Sequence, residues 1–138
     1  MLSKNFSLNE LTKSQTALRL DIKNNPNADA IAALIELSVN ILEPVRTRFD
    51  IPYTPSSGYR SEELCVAIGS KTTSQHALGE AADFEVPTIS NFTVAMWIKD
   101  NLVFDQLILE HYTGGNSGWI HCSYTEKKKN RKEYLTYD

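Results

Sequence analysis

Cysteine is nearly absent from this 138-residue sequence, which holds only Cys65 and Cys122. Two thiols cannot build the disulfide framework of a small secreted scaffold, so both read as reduced and at least half-buried. Long apolar runs are missing as well. No window approaches the roughly 20 apolar residues that span a bilayer, and the opening MLSKNFSLNE lacks the apolar core of a signal peptide. The expectation is a chain made in the cytoplasm without a signal peptide and without stable membrane insertion. Positive charge is not in excess either. The formal net charge is -3, which excludes the broad basic footprint that holds nucleic acid. The one basic cluster, Lys127–Lys129 with Arg131 and Lys132, reads as a solvated turn, with weak contact to an anionic polymer as the sharper alternative.

What is present is an ordinary globular balance, 41% hydrophobic and 22% charged, at a length that fits one domain over residues 1–138. Ser7 and Glu10 form a capping-box pair, with Phe6 and Leu11 placed as a hydrophobic staple. Asn24-Asn25-Pro26 marks a turn. The strongest helical pattern runs from about Ala28 to Phe49, with Ile31, Leu34, Ile35, Leu42, Val45 and Phe49 on one stripe and a kink or break expected at Pro44. Residues 51–57 suggest a short edge strand, and Ser61 caps a short helix. Ala81 to Val86 alternates as a strand, with Ala81, Asp83 and Glu85 on one face. Ser90 can cap a helix over about Asn91–Asn101. Two antiparallel strands follow, near Asp105–His111 and Trp119–Thr125, joined by a loop that holds three of the six glycines. Helices followed by a small antiparallel sheet argue for an α+β fold with helices packed on the sheet.

The chemistry gathers in two places. In Ser74-Gln75-His76-Ala77-Leu78-Gly79-Glu80-Ala81-Ala82-Asp83, a loop histidine precedes a strand aspartate, with small residues between them that let both side chains converge. A histidine and an aspartate at this spacing mean little alone. Trp119-Ile120-His121 adds a second histidine on a strand, and parity places Trp119 and His121 on one face, with Cys122 turned to the core. Glu110 ends the neighbouring strand, while His111, the third histidine, should point the other way. Two histidines and one aspartate suit a single Zn²⁺ and leave a fourth position for water. Glu110 could then move a proton from that water to a leaving amine.

The pattern S-x-H-x-x-G-x-A-x-D over Ser74–Asp83, followed by W-x-H over Trp119–His121, resembles the zinc D-Ala-D-Ala carboxypeptidases and peptidoglycan endopeptidases, in particular small single-domain members common in phages and prophages. Leu42-Glu43-Pro44-Val45-Arg46, Ser57-Gly58-Tyr59-Arg60-Ser61, Phe104-Asp105-Gln106-Leu107-Ile108 with Glu110, and Asn130-Arg131 extend the likeness in the same order. The resemblance implies a hedgehog/DD-peptidase-like fold and zinc held by His76, Asp83 and His121. It implies that Arg60 orients substrate or stabilises an oxyanion, and that Ser74 hydrogen-bonds substrate. Trp119 would wall the cleft. Some relatives carry a glutamate three residues before the third ligand, where this chain has Gly118, so the general base falls to Glu110.

A monomer without a nucleic-acid partner is expected, and the resemblance further implies a peptidoglycan stem peptide as substrate. It fits a phage or prophage enzyme that reaches the cell wall after release, an endolysin, or a domain carried on a virion. The alternative is a non-catalytic zinc-containing cell-wall-binding module of the same fold, since fold and metal do not prove turnover.

Overall fold

The structure, a computed structural model, describes all of residues 1–138. The N-terminal capping box forms. The Ser7 side chain accepts the Glu10 N–H, and the Glu10 carboxylate accepts the Ser7 N–H at 3.1 Å, opening the helix Leu8–Thr12 (α1). Phe6 and Leu11, on either side of the cap, are fully buried. Ser14 caps Gln15–Arg19 (α2), and Asn27 caps Ala28–Leu37 (α3).

The break expected at Pro44 lies just ahead of it. Ser38–Leu42 is a π-helical turn, in which the Glu43 N–H reaches back to the Ser38 carbonyl, and Glu43–Phe49 (α4) then resumes. Proline has no N–H to give, and a widened turn ends the regular ladder before that donor is missed. Leu34, Leu37, Ile41, Leu42 and Val45 are fully buried, whereas Ile35 lies off that stripe and is 38% exposed. Residues 51–57 form no strand and contribute a single bridge, Ser57 to Asp83.

Glu62–Ala67 (α5) follows, capped by Ser61, and then Ala81–Phe84 (β1), Asn91–Asn101 (α6), Gln106–Glu110 (β2), Trp119–Ser123 (β3) and Glu133–Tyr137 (β4). The fold is α+β, and the sheet order is β1-β3-β2-β4. The sheet is mixed rather than antiparallel throughout, because β4 pairs parallel with β2. The reason is where the chain stands when β3 ends. Since β3 runs antiparallel to β2, its last residues lie beside the start of β2. Residues 124–132 then pass around that end, with Lys132 N–H on the Phe104 carbonyl and Glu133 N–H on the Asp105 carbonyl, and β4 sets off in the direction of β2.

Strand parity divides the sheet. Ala82, Phe84, Leu107, Leu109, Ile120 and Cys122 face the core, where they meet Val94, Ala95 and Ile98 of α6 and Leu34, Ile41 and Val45 of the long helical segment. The opposite face carries Asp83, Ile108, Glu110, Trp119 and His121 and lines an open groove. No helix is long and apolar enough to cross a membrane.

Candidate metal centre

Three elements bring the site together. Asp83 and His121 face each other across the β1–β3 ladder, with Ile108 of β2 opposite His121. His76 arrives from the loop before β1. That loop turns at Gly79, whose φ of +76° suits glycine and whose Cβ, if it had one, would stand 2.5 Å from the Ala30 carbonyl oxygen of α3. Close approach of loop to helix therefore seats His76.

Asp83 Oδ1 lies 3.3 Å from His76 Nε2 and 3.1 Å from His121 Nδ1. The ligand atoms of all three residues lie within 4.8 Å of one another, and all three side chains are buried. The other ring nitrogens are occupied: His76 Nδ1 lies 2.7 Å from the Gly58 carbonyl oxygen, and His121 Nε2 lies 3.0 Å from Gln75 Oε1. Each imidazole thus binds an acceptor behind it and turns its remaining nitrogen toward one shared point. Adjacent ligands at about 2.0–2.1 Å on a tetrahedral zinc are roughly 3.3 Å apart, so the two separations from Asp83 suit that ion, and three protein donors would leave it a fourth position.

Burial alone would raise the Asp83 carboxyl pKa, but hydrogen bonds and charge from His121 and His76 outweigh it and hold the group well below the usual carboxylate range. Cys122 takes no part. It is fully buried on the opposite face, where burial pushes its thiol far above the usual range.

Around these three, Arg60 donates Nη2 to Asp83 Oδ2 at 3.2 Å and Nε to Ser57 Oγ at 3.0 Å. Asn24 brackets that arginine, accepting the Ser61 N–H at 2.7 Å and donating to the Tyr59 carbonyl at 2.9 Å. Ser74 Oγ accepts the His76 N–H at 3.1 Å and so stiffens the ligand loop. Two residue pairs along the ladder from His121, Glu110 faces Trp119, whose indole Nε1–H donates to Glu110 Oε2 at 2.9 Å. That pair sits about 7 Å along the strand from the histidine, at 3.3–3.4 Å per residue. His111 lies beyond the strand end, exposed, with its ring 5.0 Å from that of Trp119.

The groove above the centre measures about 1000 Å³ and runs from Glu110 and Trp119, past the three ligands, to Thr125, Lys127 and Lys128. Sequence reasoning missed Asn24, which reads as a turn residue, and also Gln75 and Asp105. The signal available for Asp105 was a lone acid at the head of an apolar strand.

A family model described as Peptidase M15 matches residues 4–123, a span that contains Arg60, Ser74, Glu110 and the converging His76, Asp83 and His121. Comparison with curated proteins finds no match. The arrangement of two histidines and one aspartate at the floor of a groove, inside the matched span, agrees with that result, and the chain belongs to the Peptidase M15 family, a family of zinc D-Ala-D-Ala carboxypeptidases.

Proposed function

We propose that this chain is a zinc-dependent peptidase that hydrolyses a peptide bond in bacterial peptidoglycan stem peptides, as a D-Ala-D-Ala carboxypeptidase or an endolysin-type endopeptidase. The observation that carries the reading is the convergence of His76 Nε2, Asp83 Oδ1 and His121 Nδ1, each ring held by an acceptor on its other nitrogen. A bound Zn²⁺ would supply a Lewis acid and lower the pKa of a water in the open position.

The chain's own residues supply the rest. Glu110, with Oε2 engaged by Trp119, keeps Oε1 to accept a proton from water and return it to the leaving amine. Arg60 holds Asp83 by Oδ2, which directs Oδ1 at the histidines, and its Nη1, free of protein hydrogen bonds, is available to a substrate oxygen. Ser74, whose oxygen already accepts from His76, retains a hydroxyl proton to donate to substrate. Trp119 walls the groove and steadies Glu110. The enzyme acts as a monomer on the cell wall after release, and a phage or prophage origin accords with the small-member resemblance.

The deciding experiment incubates purified peptidoglycan with zinc-loaded protein, chelator-treated protein and His121→Ala, and counts new amino and carboxyl termini. Release by the zinc-loaded protein alone is expected, and mass spectrometry of the products names the bond. One zinc bound per chain without any release would favour the non-catalytic binding module instead.

A further inference from the structure

Behind His121, on the side away from Asp83, three side chains form a continuous hydrogen-bonded line. Gln75 Oε1 lies 3.0 Å from His121 Nε2, and Gln75 Nε2 donates to Asp105 Oδ2 at 3.0 Å. Asp105 is 1% exposed. Arg131 grips it with Nε on Oδ1 and Nη2 on Oδ2, each at 3.0 Å, and adds its backbone N–H at 3.1 Å.

The direction of every bond in this line follows from its outer end. An ionised carboxylate only accepts, so the Gln75 amide must turn its NH₂ toward Asp105. Its oxygen then faces His121, which must donate from Nε2. Asp83 also accepts, and without an ion it competes for the imidazole proton; with a metal bound, the single N–H of the neutral ring stays on Nε2 and the Nδ1 lone pair is left for the ion.

We propose that Gln75, backed by the Asp105–Arg131 pair, is a positioning residue that holds His121 in its Nε2–H tautomer with the Nδ1 lone pair aimed at the metal. This rests on the reading of His76, Asp83 and His121 as ligands. His76 reaches the complementary state by a different route, since the Gly58 carbonyl accepts its Nδ1–H and leaves Nε2 for the metal. Adjacent loop residues therefore do separate work: His76 is a ligand, and Gln75 guides the ligand on β3. Arg131 also anchors the crossover into β4, so the same ion pair that routes the chain around the sheet sets the orientation of a metal ligand. Partners of this kind, which touch ligands rather than metal, are typically worth about 10- to 100-fold in metal affinity.

The test uses the full chain, Gln75→Leu, and the double variant Gln75→Glu/Asp105→Asn. The double variant reverses the donor and acceptor between positions 75 and 105 yet still presents an oxygen to His121. Zinc affinity is read by competition with a chromophoric chelator. The His121 Nε2–H is followed by ¹H–¹⁵N NMR of the zinc-loaded protein. Expected are one zinc per wild-type chain, an affinity about 10- to 100-fold weaker in Gln75→Leu with the Nε2–H signal lost to solvent exchange, and that signal kept in the double variant. A folded Gln75→Leu with wild-type zinc affinity and an unchanged Nε2–H signal would overturn the proposal. A wild-type chain that takes up no zinc would instead defeat the reading of the three ligands, a failure visible before any substitution is made.

Discussion

Glu110 and Gly118 settle between them where a carboxylate can stand near His121. Gly118 has a φ of +71°, and a Cβ there would run into the Glu110 carbonyl oxygen. A side chain at that position is strained before its chemistry is considered, so Glu110 is the carboxylate that the hairpin can offer. Glu110→Gln is expected to lower kcat on peptidoglycan by about 10²- to 10⁴-fold, the range for a lost general base, while zinc content stays at one per chain. Steady-state kinetics beside metal analysis checks both halves. If the rate is unchanged, the proton is carried by another group. Gly118→Ala should cost about 1–3 kcal/mol in urea unfolding, from the left-handed backbone and the carbonyl contact together.

At the scale of elements, the N-terminal segment hangs on the first residue of α4. Glu43 accepts the Ser3 hydroxyl and the Asn5 N–H, both at 2.6 Å, and the Asn5 side-chain amide at 2.7 Å. Burial would raise the Glu43 pKa, but these bonds prevail and lower it. A carboxyl lowered on folding stabilises the folded state above its unfolded pKa and loses that contribution as pH falls through the folded one. Glu43→Gln should therefore reduce urea-unfolding stability by about 1–2 kcal/mol near neutrality, with the gap to wild type closing as pH drops below the ordinary carboxylate range. Much of the fold was legible in the sequence, because caps and strand parity are local. Ser7, Ser61 and Ser90 each accept from the N–H three residues on. The side-by-side placing of Asp83 and His121 follows from alternation alone once both strands are known. The π turn was not legible, since its residues look like any helix and only the position of Pro44 hints at trouble. Strand β4 escaped because Glu133–Tyr137 is half-buried at best and its partner is chosen by a crossover, not by a turn signal. Gln75 escaped for a similar reason: a loop glutamine has no periodicity, and its partner Asp105 lies 30 residues away.

Across the whole molecule, the groove carries opposite charges at its two ends, Glu110 on one side of the ligands and Lys127 and Lys128 on the other. Stem peptides carry free carboxylates, so the lysine end should attract them in the proposed reaction. Lys127→Ala/Lys128→Ala is expected to raise KM roughly two- to tenfold with kcat held, and to flatten the loss of activity with added salt. Initial rates across an ionic-strength series would show it, and a fall in kcat alone would count against it. The metal centre itself closes only when β1 has found β3, with β2 inserted between them in the chain, and Asp83 and His121 are 38 residues apart. The longer loop to be closed makes β1–β3 the costlier pairing, and we expect it to follow the β2–β3 hairpin. Until that meeting Asp83 and His121 do not stand together to share an ion. Zinc should act as a lock and not as a guide. In stopped-flow measurements, saturating zinc is expected to slow unfolding while leaving the refolding rate nearly untouched.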